Sequence, residues 1–148
     1  MKSIAKNKKA YFDYEILEDF EAGIMLRGHE VKAARAGKVN LKGSHVIVKD
    51  EGVFVQGMHV GMYEQANLTS YDPYRPRQIL LHAKERDQLV RAENESGSTV
   101  IPLEMYLKKG LIKLKIGIVR GKKKHDKRHG LKQKSQDRDV QRALKRYK

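Results

Sequence analysis

The segment that most restricts the fold lies between Leu111 and Val119. There Leu111, Lys113 and Lys115 alternate with Ile112, Leu114, Ile116 and Ile118 in strict period two. Such alternation describes a strand with one buried and one wet face. Gly110 precedes it, and residues 99–107 form a second apolar, β-branched run, so the pair reads as a hairpin. A chain with this hairpin must supply further strands to cover its apolar face.

Other segments supply them. Residues 11–20 are rich in aromatic and branched side chains, and Asp13, Glu15, Glu18 and Asp19 suit a wet face, so a strand is expected. Gly23 then marks an expected bulge. Residues 45–48 and 53–55 flank Asp50-Glu51-Gly52, a hairpin signal, and residues 59–63 are expected to continue that sheet. Residues 67–78 contain Asp72-Pro73 and Arg75-Pro76 and read as an irregular loop. Two short helices fit between: residues 28–36, with Val31, Ala34 and Arg35 at helical spacing before Gly37, and residues 84–94, with Gly97 beyond. The expectation is a mainly β fold: a small oligonucleotide-binding-type barrel of about six antiparallel strands, with two or three short helices.

Charge divides the chain. The net charge is +14. Residues 1–120 hold 20 Lys and Arg against 15 Asp and Glu, whereas residues 121–148 hold 12 against 3. The second segment has only Leu131, Val140, Ala143, Leu144 and Tyr147 as apolar content, too little to offset ordering entropy. Residues 1–120 are therefore read as the barrel and 121–148 as a basic tail, disordered when free. Val140, Ala143, Leu144 and Tyr147 fall on one helical stripe, so a helix forming on a partner is expected. The excess charge favours a polyanion, with nucleic acid ahead of an anionic membrane. No stretch approaches the roughly 20 apolar residues of a membrane span. The chain has no cysteine, which excludes disulfides and thiolate chemistry and fits a cytoplasmic location.

Catalytic and metal motifs fail on inspection. His29-Glu30 begins a zinc-protease signature, but the second His is replaced by Ala33. Gly37-Lys38 and Gly43-Ser44 have the wrong order for a phosphate loop. His125 and His129 share a helical spacing, but in a basic tail that repels cations. The histidines fit packing instead: His45 and His59 in or beside strands, and His82 at a helix start. No enzyme activity, cofactor or metal is expected. Binding residues are better candidates. Lys6, Lys8 and Lys9 precede Tyr11, Phe12 and Tyr14, a mixture suited either to phosphate contact beside base stacking or to the charged lead-in of an ordinary strand. Lys113 and Lys115 share one strand face, which is either a basic binding surface or simply the wet side of the sheet. Gly121-Lys122-Lys123-Lys124-His125-Asp126-Lys127-Arg128 places five cations after a flexible glycine, a suitable anchor on a phosphate backbone.

Ordered blocks along the chain carry a resemblance. They are Asn7-Lys8-Lys9-Ala10, Tyr14-Glu15-Ile16, Phe20-Glu21-Ala22-Gly23-Ile24, Gly28-x-Glu30-Val31-Lys32-x-x-Arg35 and Gly37-Lys38-Val39-Asn40-Leu41. They continue with Asp72-Pro73-x-Arg75-x-Arg77, Leu80-Leu81-His82, Pro102-Leu103, Lys113, Gly117 and the Gly121–Arg128 run. The chain resembles the SsrA-binding protein family, also called small protein B.

The resemblance implies a six-stranded oligonucleotide-binding-type barrel that binds the tRNA-like domain of transfer-messenger RNA and delivers it to stalled bacterial ribosomes. The tail would fold as a helix in the small-subunit decoding centre and the empty message channel. Elongation factor Tu and alanyl-tRNA synthetase would be partners reached through the RNA. Carried over residue by residue, Asn7, Tyr14, Glu21, Leu80 and Lys113 face RNA, joined by the matched cations Lys8, Lys9, Lys32, Arg35 and Lys38. Glu21 either accepts from a base edge or orients a neighbouring cation, and Leu80 either touches RNA or shapes the surface. Gly121, Lys122, Lys123, Lys124, His125, Asp126, Lys127 and Arg128 serve the decoding centre and tail entry. Gly43, His45, Val119-Arg120 and His129-Gly130 depart from the family pattern. The alternative is a ribosomal protein or general RNA chaperone, which would bind RNA with little selectivity and mainly through its tail.

Overall fold

The computed structural model describes residues 1–63 and 70–122. Among these described residues, nine strands and three helices follow one another as β1 (Lys2–Lys6), α1 (Lys8–Asp13), β2 (Tyr14–Ile24), α2 (Gly28–Arg35), β3 (Val39–Asn40), β4 (His45–Lys49), β5 (Gly52–Gln56), β6 (His59–Val60), β7 (Arg77–Leu80), α3 (Ala83–Asn94), β8 (Ser98–Lys108) and β9 (Leu111–Gly121).

The expected hairpin is the centre of the sheet. In β9, Leu114 and Ile116 are buried and Lys113 and Lys115 point outward, as their alternation requires. Lys108 pairs with Leu111, leaving Lys109 and Gly110 as a two-residue turn. Both turn residues have positive φ, 52° and 78°, the geometry that matches the right-handed twist of the flanking strands. Seven antiparallel strands run in the order β1-β8-β9-β2-β7-β5-β4. The far-edge strand β4 packs back against β8, so the sheet curls into a barrel. Phe20, Ala22, Val46, Val55, Ile79, Met105, Leu114 and Ile116 fill its interior, with α2 contributing Ala33 and Ala34 and α3 contributing Leu89 and Ala92.

Several expectations need correction. The start of the expected strand at residues 11–20 is helix α1, and β2 begins only at Tyr14. Asn7 caps that helix, accepting from the Ala10 amide at 3.2 Å, and Ala10 and Tyr11 pack on Ile101, Leu103 and Val119. That second small core, on the outside of the sheet, outweighs the strand propensity of the aromatics. Gly117 makes room for it: a Cβ there would lie 2.7 Å from Leu103 Cδ1. Gly23 is no bulge; the register of β2 shifts between Ile16 and Glu18. His59 and Val60 pair with β3 in a separate two-stranded ribbon and do not extend the main sheet. Residues 77 and 78, expected at the end of the loop, begin strand β7 (Arg77–Leu80). Strand β1 is a further addition, pairing with β8 at the edge of the main sheet.

A buried ion network explains β7. Glu30 and Arg77 are both fully buried. Arg77 donates to Glu30 at 2.6 and 2.8 Å and to the Met58 carbonyl at 2.7 Å. Arg75 and the Tyr71 hydroxyl also reach the Glu30 carboxylate, and Glu30 accepts from the Arg27 amide at the start of its own helix. Burial, the strongest influence on Glu30, would raise its pKa. Arg75, the Arg27 amide and Arg77 together outweigh it and lower the pKa to about 2. One carboxylate thereby ties α2 to β7 and to the segment before it.

Candidate nucleic-acid interface

The outward-facing residues of β2, β8 and β9 form one continuous surface. On β9 this face carries Leu111, Lys113, Lys115, Gly117 and Val119 in turn. Helix α1 covers the Gly117–Val119 end, and the two lysines lie beyond it. Tyr11 of α1 lies within the electrostatic reach of Lys115, and Lys6 of β1 sits over the Tyr11 ring at 5.2 Å.

Gly23 brings the candidates at the far end together. It pairs with Lys113 on one side and with Leu80 on the other. Leu80 is 54% exposed, and its Cβ would stand 3.4 Å from a side chain at Gly23. Leu80, Gly23 and Lys113 thus form one cross-strand row. Glu21 stands beside it, with Lys115 as its cross-strand neighbour. Its carboxylate accepts from the Tyr106 hydroxyl at 2.6 Å and from Lys108 Nζ at 3.2 Å. The Tyr106 bond, then that of Lys108, holds its pKa below the ordinary carboxylate value. Desolvation, and after it the same bond, pushes the pKa of the Tyr106 hydroxyl up. Glu21 is a charged anchor for a tyrosine and a lysine on this face.

A second group surrounds the start of α1. Asn7, Lys9 and Tyr14 line a cleft of about 390 Å³ with Asp13, Lys42, His45 and Thr99. Lys8 and Lys9 are exposed. Asn7 is 6% exposed, and its amide is spent inside the protein, donating to Pro102 O at 2.9 Å and Leu41 O at 3.3 Å. The third group lies on and after α2. Arg35 donates to the Gly110 carbonyl at the hairpin tip at 3.2 Å, and Lys32 sits over the Tyr63 ring at 5.5 Å. Lys38 is exposed, and its carbonyl accepts from the Gly61 amide. The first two groups share the outer sheet face, and Arg35 borders it at the turn.

The end of β9 is tied to α1. Gly121 pairs with Tyr14, the Lys122 amide donates to Asp13 O at 3.1 Å, and Lys122 Nζ donates to Tyr11 O at 3.2 Å. Lys123, Lys124, His125, Asp126, Lys127, Arg128 and the Val140–Tyr147 stripe lie outside the described residues. His82 is the N-cap of α3, its amide donating to Glu85. His45 lies in β4, and His59 in β6 stacks edge-on against Tyr74. Among the described residues no cluster of metal-ligating side chains occurs, and no helix is long and apolar enough to cross a membrane. Sequence reasoning missed Tyr106, Lys108 and Lys42 as parts of the surface. Only the tertiary pairing of β8 with β9, and of α1 with the β3–β4 connection, brings them there.

A family profile described as "SmpB protein" matches residues 4–146. The chain belongs to the SmpB family. It is 49% identical over 144 residues to an SsrA-binding protein of Listeria welshimeri, covering 97% of this chain and 94% of the relative. An SsrA-binding protein of Bacillus cytotoxicus is also 49% identical, with 97% and 93% covered. A solved structure described as "tmRNA-SmpB: a journey to the center of the bacterial ribosome" superposes with a TM-score of 0.68 at 40% identity, over 81% of this chain and 85% of that one. The family is one of RNA-binding proteins, not enzymes.

Proposed function

We propose that this chain binds the tRNA-like domain of transfer-messenger RNA and delivers it to stalled bacterial ribosomes for trans-translation. The observation that carries this reading is the likeness, 40% identical in sequence, to the SmpB chain of a structure described as tmRNA-SmpB in the ribosome. The geometry supports it. A barrel face carrying Lys113 and Lys115 between Leu80 and the α1 cleft offers phosphate contacts beside apolar and aromatic ones, the mixture that reads RNA shape. Leu80, Lys113, Lys9 and Tyr14 are the residues that touch RNA, with Lys8, Lys32, Arg35 and Lys38 supplying phosphate contacts around them. Asn7 and Glu21 act by holding α1, Tyr106 and Lys108 in place.

In this proposal residues 1–120 are the RNA-binding unit and residues 121–148 the ribosome-directed one. The tail occupies the decoding centre and the empty message channel through Lys123, Lys124, His125, Asp126, Lys127 and Arg128. Its Val140, Ala143, Leu144 and Tyr147 stripe becomes a helix there. Elongation factor Tu and alanyl-tRNA synthetase join through the RNA, and the work is cytoplasmic.

The test is affinity at near-physiological salt for transfer-messenger RNA and for an equal-length control RNA. Both the full chain and a version ending at Lys122 are measured. A preference for the first RNA that survives shortening is expected. Equal affinity for both RNAs, lost on shortening, would make the tail the binder and the chain a general RNA chaperone.

A further inference from the structure

Lys122 lies in the basic run that sequence reading assigns as a whole to RNA. Its two hydrogen bonds point elsewhere. Its backbone amide bonds to Asp13 O and its ammonium to Tyr11 O, both at the C-terminal end of α1. A helix end leaves its last carbonyls without intrahelical donors, and a lysine is a suitable partner for them. Helix α1 has no basic residue in its own last turn. Lys122, more than a hundred positions away in sequence, supplies the missing cation. The bond spans a junction already closed by the Tyr14–Gly121 pair, the last step of the β2–β9 ladder. The chain leaving the barrel is therefore held twice: by the Lys122 amide, which closes the Tyr14–Gly121 step, and by the Lys122 ammonium.

We propose that Lys122 is a positioning residue: a clasp that fixes the direction in which residues 123–148 leave the barrel, with RNA contact beginning only at Lys123. Helix α1 is the same element that presents Lys8, Lys9 and, at its cap, Tyr14. The clasp makes the RNA-facing helix and the root of the tail one rigid piece. A tail free to pivot at Gly121 would sample a wide cone, and only a small part of it points along any one channel. Holding the root removes that search before the partner is met.

The experiment compares Lys122→Met and Lys122→Arg in the full chain by three readouts. These are hydrogen exchange at the Tyr14 and Lys122 amides, affinity for the tRNA-like RNA, and peptide tagging on stalled ribosomes. With Lys122→Met, exchange at those two amides rises about tenfold, the scale of one charge-assisted hydrogen bond. Exchange within residues 112–118 stays unchanged, RNA affinity stays within about twofold, and tagging falls severalfold. Lys122→Arg, which keeps the cation and its reach, restores both exchange and tagging. If Lys122→Met also loosens residues 112–118, Lys122→Gln replaces it and is judged by the same criteria.

Unchanged exchange at Tyr14 overturns the clasp, and a tagging loss in that case marks a direct ribosome contact. Faster exchange with undiminished tagging also overturns it, because the clasp would then position nothing that matters. A fall in RNA affinity larger than the exchange effect makes Lys122 an RNA ligand and overturns it as well. The tagging readout rests on the proposed function, whereas the exchange readout does not. A wild-type chain that supports no tagging refutes that function, and exchange at Tyr14 still decides whether the clasp exists.

Discussion

Removing the Glu30 side chain leaves Arg77 buried with its charge uncompensated, since both residues are fully enclosed. Glu30→Ala is expected to lower stability by about 3–5 kcal/mol, measured by urea unfolding. Replacing both buried partners at once, Glu30→Leu with Arg77→Met, is expected to cost less than Glu30→Ala alone, because the charge that then loses its partner, Arg75, is partly exposed to water and not fully buried. Acid has the same target. The Glu30 pKa is lowered from 4.5 to about 2 on folding, so the folded state binds fewer protons than the unfolded one. That contribution, about 3 kcal/mol, is fully present above pH ~4.5 and is lost as the pH falls toward ~2. An unfolding series over that interval checks it: Glu30→Gln should flatten the acid limb. A slope unchanged by Glu30→Gln would move the acid sensitivity to another group. Neither Glu30 nor Arg77 announces this role in sequence. They belong to separate ordered blocks 47 residues apart, and nothing in their spacing tells a buried pair from two surface charges.

At the scale of elements, the sequence was most legible where periodicity is local. The β8–β9 hairpin, the β4–β5 hairpin, α2 and α3 all lie where alternation, helical spacing and glycine punctuation placed them. The failures share one cause. Strand β1 gains its identity from β8, helix α1 from the outer face of the sheet, and β7 from Glu30 and its partners β2 and β5. Distant partners decide these elements, and propensity is a weak guide against them. The candidate surface was legible as a roster of residues but not as an arrangement, because Leu80, Glu21 and Lys113 meet only through the two-sided pairing of Gly23. Helix α1 yields a sharp prediction. Asn7→Ala removes its cap and strips Leu41 O and Pro102 O of a donor. A loss of about 2–4 kcal/mol is expected from the cap and the two lost buried hydrogen bonds together, although Leu41 O keeps its bonds from Ser44. Exchange at Ala10 and Tyr14 should rise before that of β9. Weakened RNA binding with stability intact would instead make Asn7 a direct contact.

For the whole molecule the charge division governs behaviour. Of the net +14, residues 121–148 carry +9, from 12 basic and 3 acidic residues. Binding to any RNA should weaken with salt in proportion to the phosphates neutralised, with a slope near −0.9 per contact for a duplex. If the barrel reads the RNA and the tail is directed to the ribosome, slopes for the isolated RNA should differ by no more than about one to two contacts between the full chain and the version ending at Lys122. A titration from low to moderate salt measures this. A difference of many contacts would mean that the tail grips the RNA itself.

The wiring of the sheet also sets a timetable. Lys2 pairs with Leu107, and Tyr14 pairs with Gly121. The first two strands to be synthesised must therefore wait for the last two. The β4–β5 hairpin can form early, but the sheet's centre has no partner strands until the chain is nearly complete. Closing such long loops slows folding and prolongs the exposure of unpaired strand edges. During synthesis, Lys8, Lys9 and Tyr14 emerge early yet share no finished surface until Gly121 is free. Charge follows the same order: residues 1–120 contribute only +5 and residues 121–148 the other +9, so the finished face and most of the positive charge arrive together, with β9 and the residues that follow it.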